Sequence, residues 1–284
     1  MSRVHKPHRW QWLWLIPAAL LVWWPLWFLF MGALMSQEEL RLTIGPALGL
    51  GTGYTVWHLL PTLEPLLTLL LDTPQFFVMF WNSIGQSVAQ VAGNLLVGAP
   101  AAWAISRLRF RGRSMVRGLY IVLMLLPFQV TMVPSYLVLR QFGLLDTPWA
   151  IILPGIFSTF PVFIMERGFD TIPREVLESA SIDGANQWQR FWRIGIPLGI
   201  PGLISALTLG FLDAWNAIEQ PMTFLESPQY WPLSLFFTDP ANLDTKQLGL
   251  AMAASLWMLL PSILVFRFGQ TYLEAGLTKG AVKG

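Results

Sequence analysis

Uncharged, largely apolar stretches recur along this chain at lengths that neither strands nor ordinary core helices require. A helix rises about 1.5 Å per residue and must cross about 30 Å of hydrocarbon, so runs of about 20 uncharged residues mark possible membrane spans. Such runs occupy 10–35, 73–106, 118–139, 147–165, 194–212 and 247–266, and the six spans drawn from them cover 10–35, 76–106, 118–139, 147–166, 194–217 and 247–267. The second run exceeds one crossing, which assigns its first part, 74–81, to the membrane interface. Arg3, Lys6 and Arg9 precede the first run as in a signal peptide. That run is too long for a signal h-region and has no small-x-small cleavage site, so it is expected to be a retained span. The pattern predicts an all-α polytopic membrane protein with six transmembrane helices, forming one transmembrane domain over 1–284.

Six spans put both termini on one side, and the basic residues then choose the side. With the termini in the cytoplasm, Arg3, Lys6, Arg9, Arg107, Arg109, Arg111, Arg113, Arg117, Arg167, Arg174, Arg190, Arg193, Arg267, Lys279 and Lys283 are cytoplasmic. Only Arg41, Arg140 and Lys246 remain outside. This positive-inside asymmetry predicts a multi-pass membrane protein with both termini cytoplasmic. The arginines of 106–117 fit a topology-fixing loop better than a nucleic-acid or anionic-lipid patch, and no nucleic-acid partner is expected.

Composition agrees. Charged residues make up 12% of the chain, against roughly 25% in soluble domains, and mean hydropathy is +0.53. There are no cysteines and only three histidines, His5, His8 and His58, which leaves no thiolate chemistry and little material for a histidine metal or acid/base centre. No catalytic or metal-ligating residues are assigned. The outer loops, 36–75 and 219–246, lack the length and periodicity of an independent enzymatic domain.

The cytoplasmic segment 170–193 differs in kind, being charged, helix-compatible and bounded by prolines. Pro173 suits a first-turn position, Glu175 complements the positive helix end, and Val176, Leu177, Ala180 and Ile182 give an apolar side. Asp183-Gly184 breaks the helix, and 185–193 can form a second one before Pro197. A helix, turn and helix on the cytoplasmic surface is a docking element if its apolar side meets a partner groove, and a solvated connection if it does not.

At Glu178-Ser179-Ala180-Ser181-Ile182-Asp183-Gly184-Ala185, followed by Phe191, Ile194, Ile196 and Pro197, the sequence resembles the EAA loop of ABC importer permease subunits. Ser179 stands where the family has an alanine, and Ile196 where it has leucine. Asn82-Ser83, Arg107 to Gly112, Pro127, Pro134-Ser135-Tyr136, Gly143 to Thr147, Trp215-Asn216 and the tail from Gly276 are similar to carbohydrate-type permeases, in particular the maltose-type second subunit.

The resemblance implies the type I importer permease fold in the bacterial cytoplasmic (inner) membrane, with a coupling loop that sits in a cleft of a separate ATPase. Glu178 would make polar contact there; Ala180 and Ile182 would form the apolar dock, Asp183 and Gly184 the turn, and Ser179, Ala185 and Pro197 complete the motif. Implied partners are a second permease subunit in a heterodimer, two ATP-binding cassette subunits, an extracytoplasmic solute-binding protein and the lipid bilayer. No Walker sequence is present, so no cofactor is expected on this chain, and ATP and Mg belong to the ATPase.

The expected cargo is a sugar, oligosaccharide or polyol derivative, with an amino acid, peptide or anion as the alternative. An ion-coupled carrier would need several intramembrane ionisable groups, and a membrane-embedded enzyme a cluster of them; the spans offer essentially Asp213. Asp213, with Trp215 and Asn216 nearby, is the candidate for the solute path; Gln129 and Asn94 are weaker ones. The competing role for Asp213 is a hydrogen bond to a neighbouring helix or a wet position near the outer surface.

Overall fold

The computed structural model describes residues 9–43, 61–236 and 248–281. The histidines, Arg3, Lys6, Lys246, Lys283 and the outer-loop stretches 44–60 and 237–247 lie outside the described residues. Every regular element among the described residues is helical. In chain order these are α1 (Arg9–Gly32), α2 (Gln37–Thr43), α3 (Glu64–Leu67) running into a π turn at Thr68–Asp72, and α4 (Pro74–Arg107). Next come α5 (Arg113–Leu125), α6 (Phe128–Gln141), α7 (Trp149–Ile156), α8 (Thr159–Asp170) and α9 (Arg174–Ile182). The remainder are α10 (Gln187–Arg190), which passes through a π turn at Phe191–Gly195 into α11 (Ile196–Trp215), then α12 (Glu219–Phe224) and α13 (Leu248–Ala281).

Five segments are long and apolar enough to cross a membrane: Leu13–Gly32, Pro74–Arg107, Trp149–Asp170, Gln187–Trp215 and Leu248–Glu274. A sixth exists if α5 and α6 count as one broken span. The continuous helix expected over 118–139 is not found, because α5 and α6 meet at 104°. Pro127 has no N–H and disfavours helical backbone at the residue before it; Leu126 is accordingly extended, with φ −72° and ψ 124°. At the interface segment expected over 74–81 the helix does not break: α4 begins at Pro74 and is uninterrupted.

The span expected over 147–166 reaches Asp170 and is interrupted between Ile156 and Thr159. Backbone groups freed inside hydrocarbon need partners. Asn94 on α4 supplies them, its Nδ2 donating to the Ile156 carbonyl at 3.0 Å and the Ser158 carbonyl at 3.1 Å.

The chain divides into two compact units, 1–76 with 237–259, and 77–236 with 260–284. In the first, Ala33, Leu40, Leu69, Ala253 and Ala254 are buried, and Phe76 meets the edge of Trp257 at 6.4 Å. Gly32 leaves room for Met252, whose sulfur occupies the space a side chain would need.

The second unit is built on α8 against α11. Gly168 and Gly202 face each other so closely that a Cβ on either would lie 2.7 or 2.5 Å from the other's Cα. Small residues permit such approach where apolar lipid provides no hydrophobic drive between helices. Below this crossing Trp103 packs edge-on against Phe169 at 5.3 Å and beside Phe191 at 5.8 Å, among buried Ala99, Ala102, Met165, Leu177 and Leu203.

Candidate functional site

The turn between α8 and α11 carries the motif residues. Pro173 caps α9 from just outside it, one position earlier than the first turn expected of it. Leu177 turns into the Trp103 cluster, whereas Val176 and Ile182 stay exposed, Ile182 at 86%. The apolar side read from the sequence is therefore split: Leu177 anchors the helix and Ile182 is left facing outward. Glu178, Ser179 and Asp183 are exposed and Ala180 half-buried. Ser179 returns its hydroxyl to the Glu175 carbonyl at 3.0 Å, so a serine here leaves no polar group unmatched.

Gly184 has φ +82°, a conformation that side-chain-bearing residues adopt at a cost, and Ala185 donates to the Ala180 carbonyl at 2.9 Å to close α9. Asn186 and Gln189 form a reciprocal capping box that starts α10. Arg190 Nη1 donates to Ser181 Oγ at 2.5 Å and binds the two helices across the turn. No break separates α10 from α11, so the second helix expected over 185–193 is the first turn of the following span. Pro197 sits exposed in the first turn of α11, and Trp188 and Trp192 project from the same helix, edge to face at 5.7 Å.

The arginine loop before α5 braces this turn. Arg107 donates to the carbonyls of Phe169 and, at 2.6 Å, Ile172, satisfying the end of α8. Ser106 Oγ donates to Asp170 at 2.6 Å; Arg117 pairs with buried Glu166 and reaches Asp170 at 3.2 Å. Arg113 donates to the Ile105 and Ser106 carbonyls, each at 2.6 Å. Between this loop and α9 lies a cleft of about 1090 Å³. Sequence reasoning assigned these arginines to topology alone. The partners of Arg107 and Arg117 lie 49 to 65 positions away, beyond any local pattern, whereas those of Arg113 are only seven and eight positions away.

A second cavity, of about 710 Å³, is lined by Gln90, Asn94, Phe128, Asp213, Gln220 and Phe224, among others. Asp213 and Asn94 are thus brought together in one wall. Trp215 is not with them: it is buried, stacked on Phe211 at 5.7 Å and edge-on to Phe80 at 6.0 Å. Asn216 caps its own helix through Leu212 at 2.7 Å, and Gln129 donates to both carboxylate oxygens of Glu219 at 2.8 Å, outside the cavity wall. No group of three or more metal-ligating side chains occurs among the described residues.

Polar residues of α4 that sequence reasoning had not grouped hold the segment after α12. Asn82 donates to the carbonyls of Gln229 and Trp231, Gln86 to Tyr230, and Ser83 accepts from Leu233 N–H at 2.6 Å. Asn82, Gln86, Gln90 and Asn94 recur every four residues, a helical stripe legible once it is counted.

Comparison with known proteins gives consistent matches. The family model described as "Binding-protein-dependent transport system inner membrane component" matches residues 94–279. An inner membrane ABC transporter permease protein of Escherichia coli, YcjP, is 30% identical over 92% of this chain and 91% of its own. The diacetylchitobiose uptake system permease protein DasC of Streptomyces coelicolor is 31% identical over 75% of this chain and 78% of its own. Among solved structures, a bacterial ABC transporter involved in import of the acidic polysaccharide alginate aligns with a TM-score of 0.76, at 24% identity over 92% of this chain and 94% of that one.

Proposed function

Because the chain belongs to the inner membrane components of binding-protein-dependent transport systems, we propose that it is the permease through which an ABC importer passes a sugar or oligosaccharide handed over by an extracytoplasmic binding protein. A permease subunit of this kind transports and does not catalyse; ATP hydrolysis belongs to a separate subunit. The α5–α6 pair forms the third of six spans, broken at Pro127, and both termini are cytoplasmic, in keeping with the positive-inside distribution of lysine and arginine. The partners are a second, different permease subunit and two ATPase subunits, which hold the ATP and Mg; this chain binds no cofactor.

The observation that carries this reading is the stapled turn of α9 and α10. It joins α8 directly to α11, it is braced by Arg107 and Arg117, and it leaves Ile182 uncovered beside Glu178 and Asp183. A rigid two-helix projection with an exposed apolar residue transmits a push into both spans at once, which a solvated connection does not. ATP binding at the partner then biases the spans between two states, and the loaded binding protein biases them from the other side. A carbohydrate cargo follows the relatives, of which DasC is named for a chitobiose derivative.

The test is ATP-driven uptake in proteoliposomes holding this chain with its partner permease, ATPase and binding protein, together with labelling of Ser181→Cys from each side. Accumulation that needs all four components, with labelling from the ATPase side only, is expected. Labelling of Ser181→Cys from the binding-protein side overturns the orientation and the coupling role together.

A further inference from the structure

The cavity on α4, α6 and α11 has one charged group in its wall. Gln90, Thr131 and Gln220 offer neutral donors and acceptors, and Phe128, Phe157 and Phe160 offer ring faces and edges that suit the C–H surfaces of a sugar. Among the described residues, no lysine, arginine or histidine lines this space. Asp213 is exposed to it and makes no hydrogen bond or ion pair with any described residue. An uncompensated carboxylate within a span is expensive and is held where it faces water or a ligand. Its field acts through a low-dielectric wall, so it repels an anion far more strongly than it would in bulk water.

We propose that Asp213 is a charge filter: the cavity accepts uncharged sugars and sugars bearing an amino group, and rejects uronates and sugar phosphates. This rests on the cavity being the solute path. The fold shared with an importer of an acidic polysaccharide therefore does not bring that preference with it. Asp213 selects by charge, while the amides and phenyl rings accommodate hydroxyl-rich rings of either accepted kind.

The natural absence of cysteine allows a test that needs no knowledge of the cargo. Ala217→Cys places a thiol in the cavity wall, and Gln141→Cys places one on the exposed end of α6 as a reference. In the assembled transporter in proteoliposomes, both are treated with the cationic ethyltrimethylammonium and the anionic ethylsulfonate methanethiosulfonate reagents, and modification of this chain is followed by mass. The cation-to-anion rate ratio at Ala217→Cys, normalised to Gln141→Cys, is expected to be raised about tenfold and to fall toward one when Asp213→Asn is added. A ratio that Asp213→Asn leaves unchanged overturns the filter while the transport reading stands. Failure of both reagents to reach Ala217→Cys in a complex that still transports shows that the cavity is not an aqueous path and overturns the filter with it. An assembled complex of the unsubstituted chain that shows no ATP-driven uptake overturns the transport reading, and with it the filter that rests on that reading, whatever the labelling ratio.

Discussion

Asp146 and Ser227 are joined by two hydrogen bonds, Oδ1 accepting the Ser227 N–H at 2.7 Å and Oδ2 the Ser227 hydroxyl at 2.5 Å. Oδ1 also accepts Glu226 N–H at 2.9 Å, and the Asp146 N–H returns to the Phe224 carbonyl at 2.9 Å. The residue adopts φ +54°, a conformation that aspartate tolerates better than most, and so turns the chain from α6 toward α7 while gripping the segment after α12.

The Ser227 hydroxyl, followed by the Ser227 N–H, holds the Asp146 carboxyl below the usual carboxylate value of 3.8. A carboxyl lowered by folding binds its proton more weakly in the folded chain than in the unfolded one. Its stabilisation is therefore complete above the ordinary value and is lost as pH falls through the lowered folded value. Asp146→Asn is expected to lower stability at neutral pH by about 1 kcal/mol, because an amide cannot accept at both positions. Thermal unfolding of both proteins from pH 7 downward checks this: the gap should hold to about pH 5 and close below the ordinary carboxylate value.

The charge clasp of Arg117 and Glu166 leads to a second prediction. Glu166 is buried and its arginine only partly so. Arg117→Met leaves a carboxylate without its cation inside the α8 packing, for an expected loss of about 3 kcal/mol, at the low end for broken buried pairs. The double variant Arg117→Met with Glu166→Leu should recover most of that loss. Melting temperatures of the three variants in detergent decide it, and equal destabilisation of the single and double variants would show that the pair is not what α8 requires.

Most spans and the turn after α9 were legible because both are written locally. Hydrocarbon thickness fixes the length of an uncharged run, and Asp183-Gly184 marks a turn by the backbone it permits. The Asn186–Gln189 capping box was equally local and could have been read. Breaks inside spans were less visible: Pro127 bends the chain through 104°, whereas Pro100 and Pro261 lie within unbroken helices. Sequence alone does not say whether neighbouring groups will absorb a missing N–H. Trp215 and Asn216 were paired with Asp213 by proximity along the chain, but successive helix positions point about 100° apart, so Trp215 went into the core and Asp213 into the cavity. The Arg107 and Arg117 braces depend on which spans pack together, and no local pattern records that.

The proposed coupling through the turn would make Gly184 a sensitive position. Its φ of +82° is strained for a β-branched side chain by about 1 to 2 kcal/mol, although the space around it is open. Gly184→Val is expected to leave the complex assembled and its basal ATPase rate unchanged, and to abolish the stimulation caused by the loaded binding protein. Gly184→Asn, which tolerates left-handed backbone, should retain most of it. Stimulated ATPase rates separate the two, and full stimulation in Gly184→Val would remove the turn from the coupling path.

At the α8–α11 crossing the constraint is space rather than backbone conformation. A Cβ at Gly202 would lie 2.5 Å from the Gly168 Cα, and what it meets is backbone, which has no rotamer to yield. Even Gly202→Ala must therefore push the helices apart, and the displacement falls between the two spans that the coupling turn joins. The core just below, Trp103 against Phe169, loosens with it. Gly85→Ala meets nothing within 4 Å and serves as the matched control on another span. Gly202→Ala is expected to lower stability by about 1 to 3 kcal/mol, as overpacking does in a close-packed core, and Gly85→Ala to be neutral or slightly stabilising because alanine favours the helix. Gly202→Val should fail to assemble. Size-exclusion profiles and melting temperatures of the purified complexes measure all three, and a Gly202→Ala complex as stable as that of Gly85→Ala would mean that the crossing is looser than its geometry requires.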